Sequence, residues 1–255
     1  MAAAMRPVRA VLFDLDGTLA DTAPDLVGCV QEVMRERGCP PRPFASLRAC
    51  ASQGAKGVLA AGFGEALVES PEYPEVLKQC LALYSTRLAD RSRLFPGMRE
   101  VLDELGRRGI RWGVVTNKPE YLTRPLLEAL DVARECEVTV GGDTTARLKP
   151  HPEPMLHALR HLALDATDCI MLGDAPRDIQ AAAAVGMAGL AAAWGYFPPD
   201  EDLSAWGAAA ILQSPEDLLR WLSEKQAGAD TSTARPELQC GGLAGSALHP
   251  RCISP

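Results

Sequence analysis

The feature that most limits how this chain can fold is a series of short apolar runs, each cut off by polar or glycine residues. Val8 to Phe13 stops at Asp14, Ile110 to Val115 at Thr116-Asn117, and Cys136 to Val140 at Gly141-Gly142-Asp143. Cys169 to Leu172 runs into Gly173-Asp174, and Ala188 to Ala193 into Trp194-Gly195-Tyr196. Helix-like stretches lie between these runs, and that alternation predicts an α/β core of mainly parallel strands. In such a sheet ligands gather at the carboxyl ends of the strands, where these polar residues fall.

The helical pattern is legible from spacing. Met98, Val101, Leu102 and Leu105 make one apolar face, with Gly109 as a stop signal. Met155, Leu156, Leu159 and Leu162 predict a second helix, and Asp178 to Val185 a third that ends at Gly186. Pro125 inside the stretch from Glu120 to Leu130 predicts a kink or a break.

One interval is too long for a simple crossover. About 70 residues separate Thr22 from the turn Leu94-Phe95-Pro96-Gly97. Within them Leu26, Val30, Val33 and Met34 form one helical face, and Val76, Leu77, Leu81 and Tyr84 another. A small all-helical domain inserted after the first strand accounts for this. The expected organisation is a discontinuous α/β core (1–21 and 91–226), a helical insertion (22–90) and a disordered tail (227–255) rich in Gly, Ser, Thr, Ala and Pro.

Composition removes several classes of function. The formal charge of −7 offers no general attraction for nucleic acid or an anionic membrane. No apolar run approaches the roughly 18 residues needed to span a bilayer. The eight cysteines include no CxxC pair and read as reduced thiols, so the chain is expected in the cytoplasm.

The strongest chemical signal is Phe13-Asp14-Leu15-Asp16-Gly17-Thr18. Residues two apart at a strand end point the same way, so Asp14 and Asp16 can face one site. Adjacent carboxylates repel unless a cation lies between them, which points to Mg²⁺. An EF-hand loop is the alternative, but a strand precedes the motif and Asp25, not Glu, occupies its twelfth position. Thr116-Asn117 offers a hydroxyl and an amide to phosphate oxygens, Lys149-Pro150 a lysine with a stiff follower, and Asp174 and Asp178 a pair of acids across a helix start.

Taken in this order, these segments resemble the haloacid dehalogenase superfamily of phosphohydrolases, over about Val8 to Leu222. The resemblance implies a Rossmann-like core with an inserted helical cap. Asp16 makes the motif more like the phosphatases than the dehalogenases, which lack the second acid. Val115 to Pro119, Gly141-Gly142-Asp143, Lys149 to Pro152 and Trp194-Gly195-Tyr196 are similar to phosphoglycolate phosphatases. N-acetylmuramic acid 6-phosphate phosphatases share most of these segments. Ala175 stands where Ser or Thr is often found in the superfamily.

The resemblance implies that Asp14 is the nucleophile and that Asp16 protonates the leaving alkoxide, then takes a proton from water. It implies Mg²⁺ held by Asp14, the Asp16 main-chain carbonyl and Asp174. Thr116, Asn117 and Lys149 would hold phosphate oxygens, with Asp178 orienting Lys149 or a metal-bound water. The implied substrate is a small phosphorylated metabolite, foremost 2-phosphoglycolate, with N-acetylmuramic acid 6-phosphate as the alternative. A phosphomutase, recognisable by its need for a bisphosphate activator, and a non-catalytic binding protein on the same fold are further alternatives. Oligomeric state does not follow from the sequence.

The cap would contribute the polar loop Ala51-Ser52-Gln53-Gly54-Ala55-Lys56. Its glycine-containing turn into a helix presents N–H groups to an anion, so Gln53, Gly54 and Lys56 are candidate substrate contacts, with Arg48 next in line. His157 and His161 have the spacing of a zinc pair but no third ligand nearby, and read as exposed helix positions. His151 reads as structural. Gly54-Ala55-Lys56-Gly57 lacks the pattern of a P-loop. Leu81 and Leu88 read as core, and Trp194 and Tyr196 as packing at the rim of the site.

Overall fold

A computed structural model describes residues 7–232, with side chains through residue 226. The strands are β1 (Ala10–Phe13), β2 (Ala20–Asp21), β3 (Arg93–Leu94), β4 (Arg111–Val115), β5 (Val138–Val140), β6 (Cys169–Gly173), β7 (Ala188–Ala192) and β8 (Ala210–Leu212). The helices are α1 (Ala23–Glu36), α2 (Phe44–Arg48), α3 (Gly54–Phe63), α4 (Glu65–Val68), α5 (Tyr73–Ser85), α6 (Met98–Arg107), α7 (Glu120–Ala129), α8 (Glu153–Leu162), α9 (Pro176–Ala183) and α10 (Asp217–Ser232).

Six strands form a parallel sheet in the order β5-β4-β1-β6-β7-β8. Successive side chains of a strand point to opposite faces, and β1 shows the consequence. Val11 and Phe13 pack with α6, α7 and α10, whereas Ala10 and Leu12 pack with α8 and α9. Both faces are therefore covered, which is why β1 carries no polar alternation. The register aligns Phe13 with Val114 on one side and Leu172 on the other. Asp14, Thr116 and Asp174 consequently emerge along one edge of the sheet.

The short ribbon β2–β3 pairs Ala20 with Leu94 and Asp21 with Arg93, closing the neck of the insertion. Helices α1 to α5 all lie between these two strands, and Leu26, Val30, Val33, Met34, Val76 and Tyr84 are buried as their spacing requires. Leu77 and Leu81 are only partly buried and line the cavity described below, so Leu81 is not a core residue.

Four local expectations are corrected. Helix α7 runs unbroken through Pro125, its sixth residue. Leu156 is exposed, and Ala158 completes the inner face of α8 in its place. Strand β8 extends the sheet by one further edge strand. Helix α10 runs to Ser232, past the point where the tail was expected to begin; the remainder of that tail lies outside the described residues. Among the described residues no helix is long and apolar enough to cross a membrane.

Candidate active site

Asp14 follows β1 directly and is almost wholly buried. Its Oδ1 accepts the Leu15 N–H at 2.8 Å and lies 3.1 Å from Lys149 Nζ, while its Oδ2 lies 3.6 Å from an Arg177 nitrogen. Burial works against its charge, but Lys149 and Arg177 outweigh it and hold its carboxyl below the usual range. The result is an ionised carboxylate at the base of a cavity.

Lys149 is buried behind Asp14, and its ammonium is fully engaged. It lies 2.6 Å from Asp178 Oδ1 and donates to Val115 O at 2.5 Å, in addition to facing Asp14. Asn117 positions this lysine: its Nδ2 donates to Lys149 O, and its Oδ1 accepts the Lys149 N–H, both at 3.0 Å. The Asn117 amide, expected on a phosphate oxygen, is therefore spent on the backbone of the lysine loop, although the residue still lines the cavity. The Thr116 hydroxyl accepts the Lys118 N–H at 3.2 Å and also reaches the cavity.

Asp174, at the end of β6, approaches the first motif closely. Gly17 adopts φ +85°, and a Cβ there would lie 2.1 Å from Asp174 Oδ2. Asp178 caps α9 by accepting the Ala175 N–H at 3.1 Å. One oxygen each from Asp14, Asp174 and Asp178 falls within 4.8 Å of the others, and all three residues are buried. Burial first, then repulsion from Asp14 and Asp178, pushes the Asp174 carboxyl up to about 8, despite the Tyr196 N–H at 2.8 Å. Buried hard-oxygen donors with more negative charge than Lys149 and Arg177 satisfy are a chemical match to a divalent cation. Asp178 thus belongs to this cluster as well as orienting Lys149.

Asp16 is set apart from these groups. Its Oδ1 accepts from the Thr22 hydroxyl at 2.5 Å and from Lys118 Nζ at 3.0 Å. Lys118 also donates to the Tyr84 hydroxyl at 2.8 Å, with its ammonium 4.6 Å from the centre of that ring. Burial opposes the lysine's charge, but Asp16 and Tyr84 hold its pKa above the usual value. The two acids of the motif therefore occupy different surroundings, Asp14 against Lys149 and Arg177, Asp16 against Lys118 and Thr22.

The insertion reaches this site at few polar points. Arg177 donates to Ser52 O and Ser52 Oγ, both at 2.8 Å, and Ser52 Oγ donates to Asp174 Oδ1 at 3.2 Å. Between insertion and core lies a cavity of about 360 Å³, lined on the core side by Asp14, Asp16, Thr116, Lys118, Leu122 and Arg177. Its other wall carries Leu26, Leu77, Leu81 and Tyr84, with Gln53 and Gly54 at the turn into α3. Lys56 is exposed and does not line it. Arg48 is committed elsewhere, stacked over the Tyr196 ring at 4.6 Å and 3.8 Å from Asp21.

Lys118, Arg177, Ser52, Tyr84 and Thr22 are the site residues that sequence reasoning missed. Lys118 and Arg177 had a signal, since each lies inside a strand-end segment already marked by its neighbours. Tyr84 had none, because its periodicity marks only a buried helix face. Of the residues set aside, His151 is exposed, accepting the Glu153 N–H at 3.2 Å. His157 and His161 line a separate surface cavity beside Cys136.

An α/β core, a helical insertion over its strand ends and a carboxylate-rich cluster between them define the class. The chain belongs to the haloacid dehalogenase-like hydrolase family, whose model matches residues 11–192. It is 44% identical over 216 residues to the phosphoglycolate phosphatase of Xanthomonas campestris pv. campestris (strain 8004), covering 84% of this chain and 96% of that protein. It is 37% identical over 212 residues to the N-acetylmuramic acid 6-phosphate phosphatase of Pseudomonas aeruginosa, covering 83% and 93%. A crystal structure of a predicted phosphoglycolate phosphatase from Haemophilus somnus 129pt matches with a TM-score of 0.76 at 26% identity, over 85% of this chain and 99% of that one.

Proposed function

We propose that the protein is a Mg²⁺-dependent cytoplasmic phosphatase that hydrolyses 2-phosphoglycolate to glycolate and phosphate. The observation that carries this reading is the contrast between Asp14 and Asp16, two residues apart and differently paired on one cavity. Asp14 attacks phosphorus, the bond from phosphorus to the ester oxygen breaks, and Asp16 gives a proton to the departing alkoxide. Water then attacks the aspartyl phosphate, Asp16 takes its proton, and phosphate leaves with Asp14 restored.

The other side chains serve these two steps. Lys149 fixes the rotamer and charge of Asp14, and Asn117 fixes Lys149. Thr116 and Arg177 face the cavity where the phosphoryl oxygens gather charge. Asp14, Asp174 and Asp178, with the Asp16 carbonyl, would hold Mg²⁺, which when bound neutralises the phosphate and the surplus carboxylate charge.

N-acetylmuramic acid 6-phosphate is the second reading, and one observation favours it. Leu26, Leu77, Leu81 and Leu122 give the cavity more apolar wall than a two-carbon acid can cover. The test is phosphate release from 2-phosphoglycolate with and without Mg²⁺. Metal-dependent turnover is expected; absence of turnover on this ester and on a generic aryl phosphate would overturn the phosphatase reading.

A further inference from the structure

The cavity needs a cation for the acid group of the leaving portion, and the residue first expected to supply it lies outside. Two cationic side chains line the cavity among the described residues, Arg177 and Lys118. Arg177 belongs to the phosphoryl end, between Ser52 and Asp14. Lys149 has its donors occupied by Asp14, Asp178 and Val115. Lys118 remains.

The geometry points to Lys118 as the specificity-determining residue that binds a carboxylate on the carbon next to the ester oxygen. This assignment rests on the phosphatase reading above. Lys118 Nζ is 3.0 Å from Asp16 Oδ1, and Asp16 is the group that must reach the ester oxygen. In a 2-phosphooxy acid the carboxyl carbon is two bonds from that oxygen, so a cation touching Asp16 is within reach of the carboxylate. The Lys118 side chain is only 6% exposed, so a pair formed there is little weakened by water. Its ammonium faces both oxygens of Asp16 and the Tyr84 hydroxyl. The contact with the second Asp16 oxygen is the longest of the three, at 3.4 Å, and is the one that a substrate carboxylate can take over.

The arrangement also places recognition at the junction of core and insertion. Tyr84, from α5, shares the lysine with Asp16, so the inserted helix helps to aim the cation at the leaving group. A carboxylate many bonds from the ester oxygen would not reach Lys118. The site therefore favours 2-phosphooxy acids over esters that carry their acid group at a distance.

The test compares kcat/KM for 2-phosphoglycolate and ethyl phosphate in the wild type and in Lys118→Met. Loss of support for Asp16 slows both esters, so the ratio of the two isolates the carboxylate. The ratio is expected to fall about ten- to a hundredfold, the range of a charge-assisted hydrogen bond, mainly through KM for 2-phosphoglycolate. A ratio that stays within about twofold overturns the assignment. Lys118→Gln, which keeps a donor for Asp16 without the charge, is read the same way should the Met variant not fold. A wild type that hydrolyses ethyl phosphate with no preference for 2-phosphoglycolate overturns the Lys118 assignment alone. A wild type that hydrolyses neither overturns the phosphatase reading beneath it.

Discussion

The α/β core and the inserted helices meet at one cavity but furnish it differently. The core brings charged groups that already hold one another: Asp14 with Lys149 and Arg177, Lys149 with Asp178, Asp16 with Lys118. The insertion brings mostly carbon, from Leu26, Leu77 and Leu81, and touches the core's charges through Ser52 and Tyr84. Sheet register explains the first pattern, because parallel strands fixed on both sides deliver their end residues to set positions. The second follows from a domain tied to the core by a two-residue ribbon and a few side chains. The charged groups, Lys118 among them, thus sit on the core, and the insertion adds apolar wall and aims that lysine through Tyr84.

The largest test of that division removes the nucleophile. Asp14→Asn should lower kcat by at least about 10⁴-fold on any phosphate ester while the chain remains folded. Substantial residual activity would move the chemistry away from the strand end.

Asp16→Ala should cost about 10²–10⁴-fold with alkyl esters. Rapid-quench measurements should show a smaller loss in the first step with an activated aryl ester, whose leaving group scarcely needs the proton. Equal losses would make Asp16 a structural residue.

A third test sharpens the electrostatic side of the core. Without metal, Asp174 keeps its proton up to about pH 8 in the fold, whereas an ordinary aspartate loses it near 3.8. The folded state then binds the extra proton between these values, so this residue's contribution to stability falls as pH rises through that window. Mg²⁺ competes with that proton. The rise in unfolding temperature on adding Mg²⁺ should therefore grow between about pH 4 and pH 8, and a rise independent of pH would contradict the assignment.

The smallest effect is expected in the insertion. Lys56→Met should change kcat/KM by no more than about twofold for charged and uncharged esters alike, because an exposed lysine is screened by water. A selective loss on 2-phosphoglycolate would return recognition of the acid group to α3.

The pattern of success in the sequence reading has the same physical origin. The strand-end motifs were legible because a short apolar run followed by Asp or Gly is a local signal. Strand β8 was not, since Ala210–Leu212 is brief and Ile211 is exposed at the sheet edge. Lys56 misled because its loop was right and its face wrong: Val58 and Leu59 set the inner side of α3, and Lys56 points away from it. Asn117 was placed on the correct loop, but its amide turned to the backbone of a residue 32 positions away. The pairings of Ser52 with Arg177 and Tyr84 with Lys118 join distant segments, and no periodicity within one segment encodes them.

The central claim is that the core turns over phosphate through a covalent bond to Asp14. Acid quenching during steady turnover of 2-phosphoglycolate with Mg²⁺, followed by borohydride reduction and peptide mass spectrometry, reads that bond directly. Reduction of an aspartyl phosphate leaves homoserine, and the account predicts it at position 14, enriched in Asp16→Ala, where the intermediate is hydrolysed slowly. Turnover with no modified residue at position 14, or with the modification on another side chain, would contradict it.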